Sequence, residues 1–526
     1  MRNGLLISAS LALLLAACTP VEPISPPRTE PAELTVADTP SRAQAPDGQY
    51  ISWVEHLIDA EDVNGGEPIR GGDGLVMADL DRDGFLDIVS AQEDSNQLRV
   101  AFGSADPDIW ELKTFAAGAI AGAIEDVAVG DLNGDGWLDI MAACEEAHLL
   151  YLENPGETAR EADWAYLIPP MSEGRGSWLR VFIADMNGDG RPDVTAANKG
   201  ASDIVHLEEG EHPDRPVSLF TLSGPPLEAE SWTETVLHQD GIPNTALPVD
   251  VDGDGDMDVL AAARVRYQMS LLEQTGLGEN GLPVMAAHPI RLQPAHPVPG
   301  DWVGLADAFQ ADFADLNGDG RLDLAVNVIE MRGGSGETLG AGLGWLSQPE
   351  SLDEPWVFHR IGNILPDWVT GIILTDLDGD GDLDAMVGGY SGLNILAGAY
   401  SGASREYDEP SVTASSSVAR LAWFENPGDP AAGWTRHDIS RRVRGMYDMF
   451  IAHDMDGDGD MDLVATRGNA GSFDGVFWLE QVRSAEPRKA FTPARSAESR
   501  PLPLPPEDWM DHYDTGVSYT APNKLE

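Results

Sequence analysis

Lysine is almost missing from this chain: Lys113, Lys199, Lys489 and Lys524 are the only four in 526 residues, so the other basic residues are arginine. Against 32 basic residues stand 89 acidic ones, and the formal net charge is −57. Such a chain has no cationic footprint for a phosphate backbone, which excludes nucleic acid as a partner. Cysteine is equally scarce, with Cys18 and Cys144 the only two. No disulfide framework is expected, and Cys144, which follows Ala142 and Ala143 in an apolar stretch, reads as a small core residue.

The N-terminus carries Arg2, an apolar run from Leu5 to Leu15, and small residues before Cys18. That pattern is a secretion signal rather than part of a fold. Leu15-Ala16-Ala17-Cys18 resembles the lipobox of bacterial lipoproteins, which implies cleavage before Cys18 and lipidation of its thiol. Thr19 after the cysteine resembles lipoproteins sent to the outer membrane, facing the periplasm or the outside. An ordinary signal peptide with a chance cysteine is the alternative. Residues 1–17 are therefore expected as signal, and 18–48, rich in Pro, Glu, Thr, Ser and Ala, as a disordered tether.

What the sequence has in abundance is one nine-residue pattern, D-x-[D/N]-x-D-G-x-x-D. It begins at Asp79, Asp131, Asp185, Asp250, Asp315, Asp376 and Asp454, at spacings of 52 to 78 residues. Positions 1, 3, 5 and 9 carry oxygen ligands. They are Asp79, Asp81, Asp83 and Asp87; Asp131, Asn133, Asp135 and Asp139; Asp185, Asn187, Asp189 and Asp193; Asp250, Asp252, Asp254 and Asp258. The last three sets are Asp315, Asn317, Asp319 and Asp323; Asp376, Asp378, Asp380 and Asp384; and Asp454, Asp456, Asp458 and Asp462. A hard cation such as Ca²⁺ takes about six to eight oxygens, and the glycine at position 6 permits the turn that wraps the ion. Ser90 and Ala142, at the twelfth position of the first two loops, are not the bidentate Glu of an EF-hand. Up to seven Ca²⁺ are expected. Seven similar closed sites suit a structural ion better than a catalytic one, which keeps an open position.

Each loop lies between two short apolar strands, and two further signatures keep step with it. One is an aromatic strand such as Tyr151-Leu152-Glu153-Asn154-Pro155-Gly156 or Trp423-Phe424-Glu425-Asn426-Pro427-Gly428. The other is Trp-x-x-His-x-Ile, at Trp53 to Ile58, Trp356 to Ile361 and Trp434 to Ile439. The spacing suits one four-stranded propeller blade per loop. The first Trp-x-x-His-x-Ile strand precedes every loop, so it is expected to pair with Val476 to Gln481 and close the ring. The expected fold is all-β, a seven-bladed β-propeller over 49–483 with a calcium loop in each blade. A Pro-, Ser- and Arg-rich tail is expected over 484–526.

These loops and strands resemble the FG-GAP or VCBS repeat propellers, whose best-known members are the integrin α-subunit heads. The Trp-Phe-Glu-Asn-Pro-Gly and Trp-x-x-His-x-Ile elements are more similar to bacterial and fungal VCBS-type propellers, including that of aldos-2-ulose dehydratase. The resemblance implies the fold and the calcium, while the family spans adhesins, lectin-like modules, lyases and dehydratases.

Residues repeated at the same position in several blades read as architecture, and His56, His359 and His437 belong there. Residues that occur once are better functional candidates, and the face away from the calcium loops collects them. The ligand candidates are Arg70, Arg180, Trp178, Arg266, Trp368, Tyr390, Arg444, Tyr447 and Arg467, with an insertion over 388–418 as a lid or rim. Arginine forks suit carboxylate or sulfate, and aromatic faces stack on sugars, so an anionic polysaccharide is the expected ligand. A lyase or dehydratase, with Arg444, Tyr447 or Lys199 as weak catalytic candidates, is one alternative. Adhesion or assembly on an envelope protein is another.

Overall fold

The computed structural model describes residues 40–495, apart from 147, 201–213, 265–267, 299, 307, 334–336, 365–367, 391–420 and 441–444. The segment expected as a signal, Cys18, and most of the 388–418 insertion lie outside the described residues.

The apolar strands flanking each loop pair across it, and the seven repeats make seven sheets, antiparallel except for short parallel additions at the outer edges of blades 5 and 7. Blade 1 runs Gly72–Ala78, Asp87–Gln92, Gln97–Phe102 and Glu111–Ala117. The inner strands of blades 2 to 4 are Ile124–Gly130, Ser177–Ala184 and Pro243–Val249. Those of blades 5 to 7 are Ala311–Ala314, Trp368–Thr375 and Phe450–His453. Every second strand starts on the ninth residue of its loop, from Asp87 in blade 1 to Asp462 in blade 7. Blade 5 carries an additional inner strand, Trp302–Leu305, on the same partner.

The strand that precedes all loops, Tyr50–Ala60, completes blade 7. It runs antiparallel to Gly475–Ser484, with Trp53 opposite Gln481 and His56 opposite Trp478. This supplies the fourth strand that blade 7's own repeat lacks and ties the start of the ring to its end. The ordered chain extends past both expected boundaries. Phe491 pairs in parallel with Trp53 and is buried, Ser41 N–H donates to Arg488 O at 2.7 Å, and Arg495 pairs with Asp62 at 2.8 Å. Residues 40–48 and 484–495 are thus part of the propeller rather than tether and tail. The physical reason is that the closing strand would otherwise be an edge, and these segments cover it.

The paired signatures explain each other. The histidine of the outer strand stacks on the tryptophan opposite it, with ring centroids 4.2 Å apart for His56 and Trp478, 4.1 Å for His359 and Trp345, and 4.5 Å for His437 and Trp423. The glutamate two residues after that tryptophan then reaches the same imidazole: Glu480 lies 2.8 Å from His56 Nε2 and Glu425 2.7 Å from His437 Nε2. Blade 5 has Ser347 at the glutamate position, and burial, with His296 nearby, pushes His359 down to about 4.

Two outcomes follow from this packing. Trp478→Ala empties a buried ring from the closing blade and should lower stability by about 3–5 kcal/mol, read as a reduced urea midpoint; a loss below about 1 kcal/mol would show that the closing strand does not depend on the stack. His359 has a folded value below its unfolded one, so its contribution is intact above about pH 6.5 and is lost as pH falls towards 4. Ring-nitrogen NMR should place the His359 titration near pH 4, and a midpoint above 6 contradicts the assignment.

Candidate metal centres and the opposite face

All seven loops close in the same way, and the closure explains the spacing. The first aspartate accepts the amide of the glycine at position 6, from Gly84 to Asp79 at 3.1 Å through Gly459 to Asp454 at 3.1 Å. That glycine is left-handed in every loop, with φ between 85° and 97°, which a side chain rarely adopts. The residue at position 3 accepts the amide of position 5, and position 5 that of position 7, as in Asp458 to Asp456 at 3.1 Å and Asp460 to Asp458 at 3.1 Å.

Position 9 does something different. Asp462 is fully buried; one oxygen accepts the Met455 amide within the loop at 2.8 Å, the other the Gln481 amide at the end of the third strand at 2.7 Å. The same two-handed bridge is made by Asp87, Asp139, Asp258, Asp323 and Asp384. In blade 3 the counterpart, Asp193, keeps one buried oxygen without a partner. Burial pushes these carboxyls up, to about 7 for Asp87 and about 8 for Asp384.

Three carboxylates converge within 4.8 Å in blade 1 (Asp79, Asp81, Asp87), blade 4 (Asp250, Asp252, Asp254), blade 6 (Asp376, Asp378, Asp384) and blade 7 (Asp454, Asp456, Asp462). In blades 2, 3 and 5 the third position is Asn133, Asn187 or Asn317, so an amide oxygen stands where the third carboxylate would be. Oxygen-only donors at this separation fit a hard divalent cation. Arg160, reaching from blade 2, already pairs with Asp81 and sits 2.6 Å from Asp83, so an ion in the first loop competes with it.

The opposite face is not what the sequence suggests. Trp178 is fully buried, donates its indole N–H to Ser172 O at 2.9 Å and packs edge-on against Phe220. Trp368, Tyr390 and Tyr447 are also buried, Tyr447 against Phe477, so none of these rings offers a face to a sugar. Arg467 is 1 % exposed between the rings of Tyr447 and Phe473. Arg70 pairs with Glu61, Lys199 with Glu145, and Arg180 with Asp448 at 3.0 Å and Asp126 at 3.6 Å. Arg266 and Arg444 lie outside the described residues. The cations there satisfy local carboxylates, as an acidic chain with few bases requires.

What sequence reasoning missed is a run of acids at one register position. Six residues before the first aspartate of each loop stand Asp73, Glu125, Leu179, Asn244, Phe309, Thr370 and Asp448. Blades 7, 1 and 2 are neighbours round the closed ring, so Asp448, Asp73 and Glu125 form an acidic arc at the channel mouth, joined by Glu93 and Glu145 from the turns between the second and third strands. Asp73, Glu93 and Glu125 have carboxylate oxygens within 4.8 Å of one another. Burial first, then the neighbouring acids, raises Asp73 and Glu125 well above the usual carboxylate range. Arg180, Asp126 and Gln310 sit at the wall of an axial cavity of ≈ 480 Å³ that Val76, Ile183 and Leu247 otherwise line.

A model of the FG-GAP-like repeat matches residues 79–142 and 250–326, so the chain carries FG-GAP-like repeats in blades 1, 2, 4 and 5. No curated protein matches the sequence. Among solved structures the chain is similar to the Dos1 propeller, at 9% identity over 80% of this chain and 82% of that one, TM-score 0.35. It is also similar to the V. cholerae biofilm matrix protein Bap1, at 10% identity over 85% and 89%, TM-score 0.27. A third similarity is to the exotype rhamnogalacturonan lyase YesX, at 12% identity over 82% and 56%, TM-score 0.29. At these identities and scores the likenesses carry no function across.

The bridging aspartates yield a test that needs no ion. Asp462→Ala leaves two buried amides without an acceptor, each costing about 1–3 kcal/mol, and should lower the urea midpoint even in EDTA. Asp458→Ala, at an exposed position, should have a much smaller effect in EDTA; equal losses would contradict the division of roles.

Proposed function

We propose that this chain is a binding module: a propeller stiffened by Ca²⁺ at its loops, held to the cell envelope through lipid on Cys18, and using the face away from the loops to hold polysaccharide. The observation that carries this reading is the division of the ring into a repeated end and a non-repeated end. One end presents the same nine-residue geometry in seven blades, which suits a scaffold. At the other, no residue type recurs at the register position six before each loop, so that end is not built by repetition; six of those seven side chains are buried, which leaves the turns beyond them as the part that would meet a ligand.

The loop ligands would be the oxygens at positions 1, 3, 5 and 9, and each ion would pin the two innermost strands of its blade. Because Arg70, Arg180 and Lys199 are already paired, an acidic polysaccharide would be held through a divalent cation or through the arginines at 266, 441, 442 and 444 rather than through those three.

The test is retention of the purified protein on immobilised uronate polysaccharides in Ca²⁺ and in EDTA, with melting curves in both. Retention in Ca²⁺, no new near-ultraviolet absorbance, and a lower melting temperature in EDTA are expected. A saturated site at a thousandfold excess over Kd contributes about 4 kcal/mol. New absorbance from unsaturated sugars would replace this reading with a lyase. Capture of an envelope protein without any glycan retention would replace it with an assembly factor, and a melting curve unmoved by EDTA would remove structural calcium.

A further inference from the structure

The acids at the channel mouth are not explained by the loops. Asp73 lies in the inner strand of blade 1, Glu125 in that of blade 2, and Glu93 opens the short turn Glu93–Ser95 that joins the second and third strands of blade 1. Blades 1 and 2 approach closely enough for these residues to meet because Gly74 has no side chain: a Cβ there would stand 2.6 Å from Asp126 Cα and 3.0 Å from Glu125 O. The backbone of Asp73 is fixed by Thr466, whose hydroxyl donates to its carbonyl at 2.7 Å. Its carboxyl is 1 % exposed, and the buried Oδ2 has no hydrogen-bond partner. A buried carboxylate oxygen left without a donor, beside two further carboxyl groups, is a place where a cation would be stabilised. Among the described residues, Arg180 and Lys199 lie close enough to feel these acids, but the ion pairs they form are with Asp448 and Asp126, and with Glu145.

We propose that Asp73, Glu93 and Glu125 bind a hard divalent cation of the Ca²⁺ class, at a site different in kind from the loops. Ligand oxygens of the three residues within 4.8 Å of one another match an ion about 2.3–2.6 Å from each. No imidazole or thiol belongs to the set, so softer metals are disfavoured. Unlike the loop sites, which each lie within one blade, this one bridges two, and blades 3 to 6 carry no acid at the matching register position, where Leu179, Asn244, Phe309 and Thr370 stand. Three carboxylates supply fewer oxygens than such an ion takes, so the remainder would come from water or from a ligand on the side of Glu93, the half-buried member of the set. The site stands whether or not that ligand is a polysaccharide.

The experiment is an ion count by mass spectrometry on Ca²⁺-loaded, dialysed protein, with Mn²⁺ anomalous diffraction from soaked crystals. Glu93→Gln, on a half-buried turn, and Asp73→Asn should each lose one equivalent relative to the parent, while Asp454→Asn loses its own equivalent from blade 7 and leaves the mouth site filled. Anomalous density between Asp73, Glu93 and Glu125 is expected. An unchanged ion count in both mouth variants, or density confined to the loops, overturns the proposal. If the acids instead share protons, Asp73→Asn will keep the full calcium-dependent gain in melting temperature, and that outcome also overturns it.

Discussion

A carboxylate with both oxygens filled by backbone amides holds each blade together, and most of the molecule is arranged around it. In six blades the ninth loop residue ties the loop to the end of the third strand, spanning first, second and third strands with one side chain. In blades 2, 5 and 7 the amide side chain at that strand end then reaches the loop of the preceding blade. Asn154 donates to Leu80 O at 2.9 Å, Gln348 to Val251 O at 3.1 Å and Gln481 to Leu377 O at 2.8 Å. In those three blades closure and docking onto the neighbour are one network, which ties the fixed length of the loops to the packing of the ring.

That network leaves the two ends of the ring with different electrostatic problems. At the loops, carboxylates crowd where a cation fits. At the other end, acids crowd round an axis, and the few arginines are used to offset them. Arg180 spans this mouth, its guanidinium lying over the Phe309 ring at 4.5 Å and pairing with acids from blades 2 and 7. An arginine in such a place is part of the wall rather than a free hand for a ligand.

The repeated features were legible in the sequence because repetition is itself a signal. The loops, the blade period and the closing strand came from spacing and order, and the meeting of the outer-strand histidine with the tryptophan and glutamate of the third strand follows from register. The non-repeated face was legible only as a place. Its residues lie at the start of inner strands, where a β-bulge recurs: between Gly72 and Leu75, Ile124 and Asp126, Trp178 and Arg180, Pro243 and Thr245, and Val369 and Ile372. A bulge breaks the in-out alternation on which any sequence reading of orientation rests. Trp178 and Trp368 therefore turn into the core where a regular strand count leaves their direction open, and the acidic arc emerges only when positions are counted back from the loops.

The closing strand makes assembly of the ring depend on its two ends. Tyr50–Ala60 precedes every loop and its partner Gly475–Ser484 follows the last, so the first segment of the ring has no edge to join until the final blade is in place. Until then it is an unpaired β-segment of the sort that invites misjoining, and Glu55, His56 and Asp59 along it are the charged and polar residues that discourage such contacts. Arrival of the seventh blade is thus the step that turns six docked blades into a closed object.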